Sequence, residues 1–105
     1  MELTDNDEIK RKPAKITPRC AETLREAINY IAENSQKQAE ILQQSFFKIL
    51  DLLEIMPEIG TRYKNELRKI KLGKFRYNIY YKVKDEYISI RGIWHTSRGT
   101  EFEEN

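Results

Sequence analysis

Phe75-Arg76-Tyr77-Asn78-Ile79-Tyr80-Tyr81-Lys82-Val83 is the stretch on which the fold turns. Phe75, Tyr77, Ile79, Tyr81 and Val83 fall on one face, and Arg76, Asn78, Tyr80 and Lys82 on the other. A period of two with aromatic and β-branched residues is the pattern of a strand with one face buried. Lys84-Asp85-Glu86 supplies a turn, and Tyr87 to Ile93 alternates again, with Ile88 and Ile90 opposite Ser89 and Arg91. Upstream, Leu67 to Leu72 alternates as Arg68-Ile70-Leu72 against Lys69-Lys71, and Gly73-Lys74 turns the chain into the central strand. Three strands joined by short turns form an antiparallel meander. Gly92 inside the last strand marks a bulge or a close backbone approach.

Further toward the N-terminus the period changes to that of helices. Thr17-Pro18 is a helix start, with a hydroxyl at the N-cap and proline at the first helical position. Ala21, Leu24, Ile28 and Ile31 then recur at spacings of three and four, with Ala27 beside them. Asn34-Ser35 breaks this helix, and Ser35 with Gln38 forms a capping box for the next. Ala39, Leu42, Phe46, Ile49, Leu53 and Met56 mark a second stripe. Ile41, Phe47, Leu50, Leu52 and Ile55 widen it, which predicts cover on more than one side. Pro57 stops the helix and Gly60 completes the exit. The short connection makes the pair an antiparallel hairpin. Ala14-Lys15-Ile16 reads as a strand or a lead-in. The expected fold is α+β, a helical hairpin on an antiparallel sheet of three to four strands, in the order β-α-α-β-β-β.

A chain of 105 residues is one domain's worth. We expect residues 1–12 to be a flexible tail, 13–99 the domain, and 100–105 an acidic tail. No apolar run approaches the roughly 20 residues that cross a bilayer, and residues 1–12 do not resemble a secretory signal. One cysteine, Cys20, makes no internal disulfide and holds no structural zinc alone, so the reading is cytoplasmic, without metal or cofactor. The formal net charge is +2, but it is unevenly spread. Residues 60–98 hold 11 Lys/Arg against Glu66, Asp85 and Glu86, between acidic flanks. Such a segment favours a polyanion or an acidic protein as partner, or is simply a solvated sheet face.

No glycine-rich phosphate loop or nucleophile elbow is present. What remains is a group of residues on the meander and at its end: Lys69, Lys71, Arg76, Arg91, His95 and Arg98, with Tyr80, Tyr81 and Trp94 nearby. If they share a face, the arginines suit phosphate and the imidazole suits proton transfer, the needs of RNA cleavage by 2′-hydroxyl attack. The competing readings are a packing role for His95 and a sheet role for the tyrosines. Cys20 has no evident partner base and reads as structural. The tail Glu101-Phe102-Glu103-Glu104 is expected to screen the basic surface in part.

The chain also resembles the RelE/ParE superfamily of bacterial toxins. The resemblance is carried by Ile16-Thr17-Pro18-Arg19-Cys20-Ala21, Leu24 to Glu33, Met56-Pro57-Glu58-Ile59-Gly60, Leu67-Arg68-Lys69-Ile70, Tyr77 to Val83, and Ile90-Arg91-Gly92-Ile93-Trp94-His95-Thr96-Ser97-Arg98. It covers roughly residues 14–98, and the ending places the chain nearer the ParE-like branch. Two features depart from family patterns: Gly99 stands where that branch usually has aspartate, and Phe102 cannot replace the C-terminal tyrosine of many ribosome-dependent nucleases. The resemblance implies a type II toxin of plasmid-stabilisation type that inhibits growth through a protein target such as DNA gyrase. A cognate antitoxin would neutralise it, in a hetero-oligomer. It leaves as alternatives a RelE-like endoribonuclease acting on ribosome-bound mRNA, or an inactive antitoxin-binding member. On the nuclease reading His95 and Arg98 would be catalytic; Lys69, Lys71, Arg76, Tyr81 and Arg91 would bind target or phosphate.

Overall fold

The computed structural model describes residues 11–104. The elements are β1 (Ala14–Ile16), α1 (Pro18–Ala32), α2 (Gln36–Ile55), β2 (Thr61–Arg62), β3 (Arg68–Lys71), β4 (Tyr77–Val83) and β5 (Ile88–His95). One sheet runs in the order β1-β5-β4-β3-β2, with the two helices packed on it. The fold is the expected α+β hairpin-on-sheet, with two corrections to the sheet. It has five strands rather than three to four, and it is mixed rather than antiparallel. β1 pairs parallel to β5, because α1 and α2 intervene before the chain returns to that edge. β2 is two exposed residues, too short to show a period.

The Thr17 start forms as read, and the Ser35 start forms without its reciprocal half, because the Ser35 N–H is taken by the Ile31 carbonyl at 3.0 Å and not by the Gln38 side chain. Thr17 Oγ1 accepts from Cys20 N–H at 3.0 Å and donates to the Ile90 carbonyl at 3.1 Å, so the cap also pins α1 to β5. Ser35 Oγ accepts from Gln38 N–H at 3.1 Å. α2 ends at Ile55, and Met56 before Pro57 leaves the helical region at φ −127°, ψ 71°. The buried stripe of α1 is Cys20, Leu24 and Ala27, one residue round from the expected Ala21 line; that of α2 is Ala39, Leu42, Phe46, Leu50 and Leu53. These meet Leu72, Tyr77, Ile79, Tyr81, Ile88, Ile90 and Ile93 in one core. The expectation that late α2 is covered on more than one side does not hold: Phe47, Leu52 and Ile55, with Met56 and Ile59 after them, stay exposed.

A bulge sets the face of every residue at the end of β5. Tyr80 pairs with Gly92 but Tyr81 pairs with Ile90, so Arg91 is the extra residue. The alternation slips by one there. Ile93 joins Ile88 and Ile90 in the core, and Trp94 turns to the opposite face. Beyond the end of β1 the β5 edge is covered by α1, where Thr23 Oγ1 accepts from Ile93 N–H at 3.1 Å.

The sheet face away from the helices is not merely polar. Leu67, Tyr80 and Phe102 are buried there, with Tyr63 and Trp94 against them. Phe102 belongs to the segment read as an acidic tail, yet it is fully buried. Of the N-terminal residues, 1–10 lie outside the described residues. Lys12 is tied down, its N–H to the Glu54 carbonyl and its ammonium to the Lys84 carbonyl.

Candidate functional site

Tyr77 and His95 face each other across β4 and β5, their rings edge-on at 5.0 Å between centroids. The chain then turns through Thr96 to Gly99. This turn is held by Thr96 N–H to the Arg76 carbonyl (2.9 Å) and Arg98 N–H to the His95 carbonyl (3.2 Å). Ser97 N–H donates to His95 Nδ1 at 3.0 Å, which places the proton of the neutral ring on Nε2. The Arg98 guanidinium lies 4.3 Å over the Trp94 ring. Tyr30, Tyr77, His95, Ser97 and Arg98 line an open cleft of about 300 Å³. A smaller recess of about 30 Å³ shares Tyr77, His95 and Arg98 with it and is lined also by Thr23 and Glu26 of α1. His95 and Arg98 therefore share one cleft. Tyr30 and Tyr77 complete it; the α1 apolar period gave no hint of Tyr30, which stands off that face.

Burial raises the Tyr77 hydroxyl above its ordinary range, against a smaller lowering by Arg98, so it stays protonated and is no base near neutrality. His95 has no carboxylate partner to orient it among the described residues. The cleft gathers a guanidinium, an imidazole and a phenol, donors of the kind that suit an acidic group, with the Glu26 carboxylate on the adjoining recess.

The other candidates do not join this cleft. Lys69 and Lys71 pair with Tyr80 and Asn78 on the outer face, where the Lys69 ammonium sits 5.3 Å from the Tyr63 ring. Arg76 reaches the cleft rim, with Nη1 3.5 Å from Ser97 Oγ. Arg91 is engaged by Ser89 and Glu104. Tyr81 leaves the surface list altogether. It is fully buried, accepts from Gly60 N–H at 2.9 Å and donates to the Pro57 carbonyl at 2.8 Å. Its place on the apolar face of the central strand was the available signal. Cys20 is also buried, and desolvation pushes its thiol up to about 12, which makes it inert.

The basic face is covered in part by the C-terminal segment. Glu104 ion-pairs with Arg91 and, at 3.2 Å, with Lys82. Burial alone would raise the Glu104 carboxyl, but these two cations outweigh it and hold it below 4.5. Lys64 binds Glu101 at 3.0 Å and Glu103 at 2.6 Å, which raises its own ammonium. Lys69, Lys71, Arg76 and Arg98 have no ion pair among the described residues.

A helical hairpin on a five-stranded mixed sheet, with a cationic strand face and an imidazole–guanidinium end, defines a small α+β domain, and the family match places it in the RelE/ParE superfamily. Within it, the family model of the ParE toxin of type II toxin–antitoxin systems, parDE, matches residues 14–99, and the chain belongs to that family. A solved structure of the chromosomal ParDE TA system from P. aeruginosa superposes with a TM-score of 0.72 at 17% identity. The match covers 84% of this chain and 99% of that one, and at this identity the likeness speaks for the fold. No curated protein matches the chain. No described helix is long and apolar enough to cross a membrane.

Proposed function

We propose that this ParE-family chain arrests growth by binding a protein target such as DNA gyrase, and that a cognate antitoxin neutralises it. The observation that carries this reading is the family match over residues 14–99, which includes the whole sheet and the Ile90–Arg98 ending. Two features support action by binding. The cleft gathers a guanidinium, an imidazole and a phenol that suit an acidic group, and Phe47, Leu52, Ile55, Met56 and Ile59 are exposed apolar side chains of the kind that partners cover.

The test is induced expression with and without the adjacent short gene for an acidic partner. Growth arrest, a DNA-damage response, intact mRNA and rescue by the partner are expected. Purified gyrase should lose supercoiling activity in the chain's presence. The nuclease reading draws on His95 and Arg98 sharing a cleft with two tyrosines. It predicts codon-linked breaks in mRNA that His95→Ala abolishes, and such breaks overturn the binding reading. Absence of any arrest, with the partner still bound, identifies an inactive antitoxin-binding member.

A further inference from the structure

The outer side of α2 carries an ordered stripe that stays exposed. Lys37, Glu40, Gln44, Lys48 and Asp51 recur at spacings of three and four. At 3.6 residues per turn they fall opposite the buried side of the helix, which is Ala39, Leu42, Phe46, Leu50 and Leu53. All five are exposed, and Phe47, itself 44% exposed, and half-buried Ile41 flank the centre of the stripe. Glu40, Gln43, Gln44, Phe47, Lys48 and Asp51 line a shallow open groove of about 550 Å³, and every one of them belongs to α2. Lys37, Glu40, Lys48 and Asp51 form no ion pair among the described residues, although charges three and four apart on one helix stand within reach of each other.

The order of the charges selects the occupant. From Lys37 to Asp51 they run positive, negative, neutral, positive, negative. Read in reverse, the stripe is its own complement at every position. Lys37 and Asp51 lie seven residues either side of Gln44, and Glu40 and Lys48 lie four. We infer that this face binds a second copy of the chain, with the two α2 helices antiparallel about a two-fold axis at Gln44. In that register Lys37 faces the partner's Asp51, and Glu40 faces the partner's Lys48. The layer that holds the second pair also holds Ile41 and the partner's Phe47, so apolar surface leaves water beside it. A parallel pairing would set each charge against its own kind, and flanking charges of this sort fix the direction of paired helices. A two-fold contact of one patch with itself closes at two copies. The patch is a single helix about 30 Å long, which puts the dimer among weak, concentration-dependent associations. No residue of the stripe lines the His95–Arg98 cleft, so both clefts of the dimer stay open.

The experiment is sedimentation equilibrium of the full chain from micromolar to millimolar concentration. Wild type should show a monomer–dimer equilibrium that weakens as salt is added. Glu40→Lys sets lysines face to face on both halves of the seam, and Lys48→Glu sets glutamates so. Either should weaken the dimer by about tenfold or more. Glu40→Lys/Lys48→Glu should restore the wild-type affinity. An effect within one helix cannot do that, because the double change leaves like charges beside both Lys37 and Asp51. An equimolar mixture of the two single variants should also dimerise as wild type does, each supplying what the other lacks. Phe47→Ser should weaken the dimer with an unchanged circular dichroism spectrum. On oxidation Gln44→Cys should cross-link to its own copy, whereas Lys37→Cys should not, its two copies standing about 21 Å apart along the seam. The native Cys20 is buried and takes no part. A monomer over the whole range overturns the inference. So does a dimer indifferent to Glu40→Lys, a pair of single variants that neither the double change nor mixing rescues, or self-cross-linking of Lys37→Cys.

Discussion

At the scale of single residues, Gly60 shows how a weak sequence signal acquires a physical reason. The sequence offers it only as the exit from a helix stopped by Pro57. In the fold, a Cβ at Gly60 would lie 2.6 Å from the Tyr81 hydroxyl and 2.8 Å from the Lys69 carbonyl. Backbone cannot yield as a side-chain tip can, so Gly60→Ala must push β2 off β3 or break the two hydrogen bonds of Tyr81. A loss of about 1–3 kcal/mol is expected, since Tyr81 would keep a buried, unsatisfied hydroxyl. Chemical denaturation should show it as a lower midpoint with an unchanged slope. Tyr81→Phe in the same background should recover part of the loss; no recovery would mean the clash is with Lys69 alone. Phe102 is the opposite case. Placed among four polar neighbours after the last strand, it carries no periodicity, and nothing local distinguishes a buried anchor from an exposed one.

At the scale of elements, the hairpin, the meander and both helix starts were legible because each is dictated by local chemistry: caps, a proline stop, and periods of 3.6 and 2. What escaped is decided by partners distant in the chain. β1 is a strand only because β5 lies beside it, and β2 only because β3 does. The bulge at Arg91 turned an apparently continuous alternation into two halves with opposite phase. This separates His95 from the lysines with which the sequence had grouped it. The N-terminal edge is secured in a similar non-local way. Glu54 of α2 accepts from Ala14 N–H at 2.8 Å, 40 residues away, and its own carbonyl accepts from Lys12 N–H. Glu54→Ala leaves the Ala14 N–H half-buried without that acceptor. We expect a loss of about 1–3 kcal/mol, and faster amide hydrogen exchange confined to β1 and its pairing with β5. An even increase across the sheet would show that Glu54 acts on the helix instead.

At the scale of the whole molecule, a chain of near-neutral charge divides its surface into a screened and an unscreened basic region. Glu101, Glu103 and Glu104 lie over Lys64, Lys82 and Arg91, whereas Lys69, Lys71, Arg76 and Arg98 keep their fields. Such fields reach about 10 Å at 0.1 M salt and about 3 Å at 1 M. Heparin affinity at low salt should therefore rise when the three glutamates become glutamines, and elution should move to higher salt. Unchanged elution would show that the tail does not screen. Acid should act in the same direction through Glu104. Its carboxyl is held below 4.5 in the fold, so its attachment is complete above 4.5 and is lost as pH falls through the lower folded value. Trp94 emission should redden over that acid interval in wild type. Glu104→Gln removes the titrating group, so its emission should start redder at neutral pH and change less across the interval; identical acid profiles for the two chains would assign the release to other carboxylates.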